Sequence, residues 1–317
     1  MFVPLGTLPV YLKMRCFWKG LAMIGFRMAL TALLVSALPA AADTNRIGIM
    51  SAFEPEWLAL QKDLQNAESQ TLHGTTFVTG TLSGKEVVLF LSGVSMVNAA
   101  MTAQMALEHY EIDALVYSGI AGGINQRLNI GDVIVPENWG QWLDAVMARE
   151  TDEGFVLPSF VTSPFPNSGM IFTRETTVVS DRGEPERRFW FPVDPDLLQI
   201  AERVSRTTKL ASCNSNGECL DHQPLIRVGG NSVSGSAFVD NIDVRDWIDA
   251  TFQAQVVDME TAAVAQVAWT NQVPFIAFRS LADLAGGGDG ENEMDVFMSL
   301  ASENSATVVK AFLTQLP

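Results

Sequence analysis

Imidazole and thiol chemistry have few side chains to work with in this sequence. Its 317 residues include three histidines and three cysteines. His73, His109 and His222 fall in no spacing that would ligate a metal or serve a nucleophile. There is no nucleophile elbow. The glycine cluster after the apolar run at Ala114, Ser118-Gly119-Ile120-Ala121-Gly122-Gly123, has the spacing of neither a P-loop nor a dinucleotide fingerprint. The acids around Asp289 lack the spacing of an EF-hand. No metal and no cofactor is therefore expected. Positive charge is scarce as well: 20 Lys and Arg stand against 36 Asp and Glu, a net charge of −16. Such a surface repels nucleic acid and anionic membranes.

Acids are missing altogether from the first 42 residues, which carry Lys13, Arg15, Lys19 and Arg27. The apolar run Met28 to Leu38 follows, then Pro39-Ala40-Ala41-Ala42. A basic start, a short apolar run and a small-residue site describe a secretory signal peptide cut after Ala42. An uncleaved anchor is the other reading, but Arg27 shortens the run below what a bilayer needs. Met14 and Met23 are alternative starts for this long basic segment. Cleavage removes four positive charges and no acid, so the mature chain is more acidic still and leaves the membrane. The expected location is periplasmic or secreted.

Cys16 leaves with the leader. Cys213 and Cys219 remain, bracketing the polar turn Asn214-Ser215-Asn216-Gly217-Glu218. In an exported chain this pair is expected to form a disulfide contributing roughly 2 kcal/mol, since the loop is short. A zinc site is the alternative, and it lacks further ligands nearby.

The hydrophobic fraction of 48% is enough for a sizeable core. From Asn45 onward, apolar runs alternate with helical patterns. Strands are expected at Ile47 to Met50, Val87 to Leu91, Ala114 to Tyr117, Leu225 to Val228, Asn231 to Ser234, Val256 to Asp258 and Phe275 to Leu281. A hairpin is expected near Thr76 to Lys85. Helices are expected to open at Glu54-Pro55 and to cover Met96 to Tyr110, Pro195 to Thr208 and Met294 to Leu313. Ser118 to Gly123 reads as a glycine-rich turn that lets backbone approach a ligand. This alternation indicates an α/β fold: one three-layer α/β/α domain over residues 43–317 with a mixed, mostly parallel central sheet. About 137–192, rich in Pro, Gly and charge, reads as an insertion over the site, a subunit contact or a solvated excursion.

Three acids stand at the ends of apolar strands. Glu260 follows Val256-Val257-Asp258-Met259, Asp283 follows Phe275 to Leu281, and Glu56 follows Ile47 to Met50. In an open α/β sheet the strands' carboxyl ends form the ligand crevice, so the three point to one site. Glu260 alone could equally be a first-turn carboxylate complementing a helix dipole.

Ile47 to Glu56, Ser118 to Gly123, Gly131 to Val135, Ser234 to Phe238, Val257 to Ala262 and Arg279 to Asp283 follow one another in an order that resembles the methylthioadenosine/S-adenosylhomocysteine nucleosidases, of the purine nucleoside phosphorylase superfamily. The resemblance implies a nucleoside phosphorylase-like fold and a purine nucleoside substrate. It implies Asp283 as the acid that protonates the base at N7, Glu56 as the base that activates water, and Glu260 as the holder of the ribose hydroxyls. Phe238 would stack on the base, Val239 contact it through backbone, and Met259 pack on the ribose. Ala121 and Gly122 would line the site, and Phe53, Val94 and Met294 the apolar 5′ pocket. A homodimer in which the neighbour closes that pocket is also implied. Phe53-Glu54-Pro55-Glu56 stands where the phosphorylases hold phosphate, which favours hydrolysis. A phosphorylase of other specificity and a non-catalytic nucleoside-binding or storage protein are the alternatives. The chain departs from the family at Ile120 and Ala282, where Ser is common, at Ser236 for Asp, and at Asp258 for Glu.

Overall fold

Alternation along the strands decides which side chains face which layer. The computed structural model describes residues 45–288 and 290–317; the expected leader, Met1 to Ala42, and Asp289 lie outside them. The first elements are β1 (Arg46–Ser51), α1 (Glu54–Gln61), β2 (Gln65–Leu72), β3 (Thr75–Leu82), β4 (Lys85–Leu91), α2 (Met96–His109), β5 (Ile112–Gly123), β6 (Val133–Val135) and β7 (Asn138–Gln141). Three small ribbons follow, pairing β8 (Ala145–Met147) with β11 (Ile171–Thr173), β9 (Arg149–Thr151) with β10 (Gly154–Val156), and β12 (Thr176–Ser180) with β13 (Gly183–Arg188). The last elements are β14 (Trp190–Pro192), α3 (Pro195–Ser205), β15 (Ile226–Val228), β16 (Asn231–Ser234), α4 (Ile242–Phe252), β17 (Ala254–Asp258), α5 (Thr261–Asn271), β18 (Phe275–Asp283) and α6 (Met294–Leu313).

One mixed sheet runs β14-β7-β16-β17-β5-β1-β4-β3-β2, with β18 paired to β5 and β6, and β15 to β6. Met50, Leu115, Tyr117, Phe275 and Ala277 point to the face covered by α2 and α5. Their neighbours Ile49, Ala114, Val116, Ile276 and Phe278 point to the face covered by α1, α3 and α6. Period-two alternation of buried residues on both faces is what a sheet sandwiched by helices requires. The three-layer α/β/α expectation holds.

β5 is the hinge of this topology. Its first half pairs parallel with β1, most of its length pairs parallel with β18, and its last two residues pair antiparallel with β17. The expected turn at Ser118 to Gly123 is therefore strand. Its glycines serve close packing rather than chain reversal: a Cβ on Gly119 would lie 2.3 Å from Arg279 Nη1 and 2.6 Å from Glu56 Oε1.

Two further differences concern the periphery. β2 was not expected, because it is mostly polar, is exposed along the sheet edge up to Gln70 and Thr71, and carries no alternation, with Leu72 alone partly buried at its end. Residues 137–192 are not a structureless excursion, since β7 and β14 at their ends belong to the central sheet. Between them, β12 and β13 bring Arg182 and Arg188 over the Trp269 ring, their guanidinium carbons 4.0 and 3.9 Å from its centre. Cys213 and Cys219 are joined as a disulfide.

Candidate active site

A cavity of about 200 Å³ opens at the carboxyl ends of β1, β5, β17 and β18. Glu56, Glu260, Asp283, Met259, Phe238, Val239, Phe53, Val94, Ala121, Gly122 and Met294 all line it, as do Ile120, Asp258 and Arg279. No residue of 137–192 is among its lining, so the expectation of an insertion over the site is not met here.

Glu56 is 2% exposed. Pro55 opens α1, which brings Glu56 round to face the chain that precedes it. Its Oε2 accepts from the backbone N–H groups of Ala52 and Phe53, at 3.0 and 2.9 Å, and its Oε1 from Ile120 N–H at 2.8 Å. The bond to Phe53 is the helix-capping half of this arrangement. The bond to Ile120, on β5, is not explained by capping. Burial raises the carboxyl above its usual range, against the pull of Arg279 and the three N–H groups.

Glu260 sits between β17 and α5. Its Oε1 accepts from Ser95 N–H at 2.8 Å, and its Oε2 from Arg279 Nη2 at 3.2 Å. Ser95 holds φ at 93°, a conformation that costs a non-glycine residue free energy. Burial, together with Asp258, pushes Glu260 up to about 7 even with Arg279 beside it. Asp283 ends β18, where its Oδ1 accepts from Ala285 N–H at 2.7 Å. Burial first, then the charges of Asp240 and Glu293, raise it to about 6 against that bond.

Arg279 is the residue that sequence reasoning missed. It is 1% exposed, with its Nε 2.8 Å from Asp258 Oδ2 at an angle off a hydrogen bond, and its guanidinium carbon lies 4.6 Å from the Tyr117 ring centre. Burial opposes its charge, yet Asp258, Tyr117, Glu56 and Glu260 hold its proton more firmly than usual. The signal was an arginine inside the mostly apolar run Phe275 to Leu281, where an unpaired charge would be prohibitive. Asp258 was legible only as a neighbour of Glu260 and as a departure from the family's Glu. It accepts from Ser234 Oγ, Thr261 Oγ1 and the N–H groups of Glu260 and Thr261, which fixes the start of α5.

The walls divide by chemistry. Phe238 is 55% exposed at the mouth, an aromatic face available to a planar ring. Phe53, Val94 and Met294 form an apolar side. The carboxylates form the floor, and Arg279 is already engaged by them.

Fold and site together define a class of enzyme. The family described as "Phosphorylase superfamily" matches residues 46–314, and the chain is a member of that superfamily. A 5'-methylthioadenosine/S-adenosylhomocysteine nucleosidase of Lysinibacillus sphaericus is 31% identical over 272 residues, covering 86% of this chain and all of the relative. Among solved structures, a nucleosidase of the same description from Colwellia psychrerythraea in complex with adenine is 26% identical, with a TM-score of 0.66 over 86% of this chain and 96% of that one. An S-adenosylhomocysteine nucleosidase of Streptococcus pyogenes in complex with 5-methylthiotubericidin is also 26% identical, with a TM-score of 0.64 over 87% and 99%. Within the superfamily, the chain belongs to the methylthioadenosine/S-adenosylhomocysteine nucleosidase family, whose members are N-glycosyl hydrolases.

Proposed function

We propose that the protein is an exported nucleosidase that hydrolyses the N-glycosidic bond of methylthioadenosine, S-adenosylhomocysteine or a related purine nucleoside. The convergence of Glu56, Glu260 and Asp283 on one cavity carries this reading. In it, Phe238 stacks on the purine and the Val239 backbone meets its edge. Asp283, raised to about 6, gives a proton to N7 as the bond from C1′ to N9 breaks and its electron pair passes to the base. Glu56 takes a proton from water as the water oxygen bonds to C1′. Glu260 holds the ribose 2′ and 3′ hydroxyls, with Met259 against the sugar. Phe53, Val94 and Met294 receive an apolar 5′ substituent, which favours a thioether over a hydroxyl by a few kcal/mol at most, on the order of ~0.8 per buried methylene.

Export is supported by the acid-free basic start and the paired cysteines. A homodimer is supported by a second groove between α2 and α5, lined by Met96, Val97, Met101 and Val267, with Val97 and Met101 exposed. Val97 lies three residues beyond Val94 of the cavity, so a partner seated there would flank the 5′ side.

Base release from methylthioadenosine, S-adenosylhomocysteine, adenosine and inosine by the chain from Asp43 onward tests the assignment. Adenine is expected from the first two at the highest kcat/KM. No base from any of the four would contradict catalysis and favour a binding protein.

A further inference from the structure

Asp283 has no hydroxyl neighbour in sequence, since Ala282 precedes it, and the structure orients it by other means. Beyond β18 the chain turns through Leu284 to Gly287, with Ala285 fully buried at φ 53°. That left-handed backbone is costly for alanine, and the Ala285 N–H at the head of the turn donates to Asp283 Oδ1. The turn is closed by Gly287 N–H on the Leu284 carbonyl at 2.9 Å, and tied to α4 by Asn241 N–H on the Ala285 carbonyl at 3.2 Å.

Arg245 lies beneath it. This arginine, 6% exposed on α4, donates from Nε to the Gly123 carbonyl at 3.0 Å. Gly123 follows Gly122, the residue in register with Asp283 across the sheet. A Cβ on Gly287 would lie 1.9 Å from Arg245 Nη1 and 2.4 Å from its Cζ, so the turn rests directly on the guanidinium. Arg245 therefore touches both sides of the backbone that frames Asp283, and no carboxylate pairs with it among the described residues. A buried guanidinium on a lone carbonyl is expensive.

We propose that Arg245 is a positioning residue for the acid of the reaction: by clamping the Leu284 to Gly287 turn against the end of β5, it holds Ala285 N–H on Asp283 Oδ1 and leaves Oδ2 toward the substrate. The inference rests on Asp283 being that acid. A misplacement of about 1 Å in such a group costs on the order of 100-fold in rate.

Arg245→Met, Arg245→Lys and Gly287→Ala test it through the pH profile of base release and the split between kcat and KM. Charged groups facing Asp283 are Asp240 ahead of α4 and Glu293 at the start of α6, with Glu56, Asp258, Glu260 and Arg279 also lining the cavity, and all are retained in these variants. Arg245→Met is expected to lower kcat by about 10-fold or more with KM little changed. It is also expected to move the alkaline limb to higher pH, because a carboxylate losing the Ala285 N–H loses a bond to its ionised form. Arg245→Lys should recover part of both, and Gly287→Ala, which presses on the guanidinium from the turn, should reproduce the limb shift if Arg245→Met fails to fold. Folded variants with an unmoved alkaline limb and unchanged kcat would overturn the proposal, even if they melt earlier. Wild-type turnover by Asp283→Asn would overturn instead the reading of Asp283 on which it rests.

Discussion

Glu56, Glu260 and Asp283 are all held above their ordinary carboxyl range chiefly by burial. A carboxyl whose folded value is raised stabilises the fold fully below its unfolded value, and that contribution is lost as pH rises through the folded value. For Asp283 the window runs from its ordinary 3.8 to about 6. Above it, the ionised group weighs against the fold by roughly 2–3 kcal/mol, about 1.36 kcal/mol per pH unit of displacement. Asp283→Asn should therefore melt several degrees higher than wild type at pH 7.5, show no such gain at pH 4, and lose turnover by 100-fold or more. Equal Tm values at both pH values would mean that the carboxyl is not held above its usual range. These acids were legible in sequence because charge at the end of an apolar strand is conspicuous. Arg279 was equally conspicuous, but its meaning depended on three carboxylates that the chain brings together from residues 56, 258 and 260.

At the scale of elements, β5 explains why the glycines are where they are. Three of its last five residues are glycine, and sequence reading took them for a turn because glycine commonly marks one. The structure keeps the strand and uses missing side chains to seat Glu56, Arg279 and Asp283 against it. Gly119→Ala should accordingly displace Arg279 and Glu56, costing about 1–3 kcal/mol of stability. Activity should fall more steeply than Tm, as kcat and melting measurements on one preparation would show; an active Gly119→Ala would contradict the close packing. α6 was legible end to end, its apolar stripe matching Met294–Leu313. α4 went unread although Asn241 caps it through a bond to Val244 N–H and Ile248 and Phe252 bury its inner face. β2 had no such pattern to read, since an edge strand with both faces exposed leaves no alternation.

The molecule as a whole places acids at the start of α1, where the resemblance to the phosphorylases puts their phosphate. Glu54 and Glu56 open α1, Glu56 occupies the amide groups of Ala52, Phe53 and Ile120, and Arg279 is committed to Asp258 and Glu260. A helix start, the kind of position that holds phosphate, is thus filled by a carboxylate. The net charge of −16 acts in the same direction. Water is then the nucleophile that the site can accept. The direct measurement is product analysis of methylthioadenosine cleavage with and without phosphate. The expected result is the same rate of adenine release in both, with the free thioribose as the other product. Adenine release only with phosphate, accompanied by the sugar 1-phosphate, would contradict the hydrolytic site.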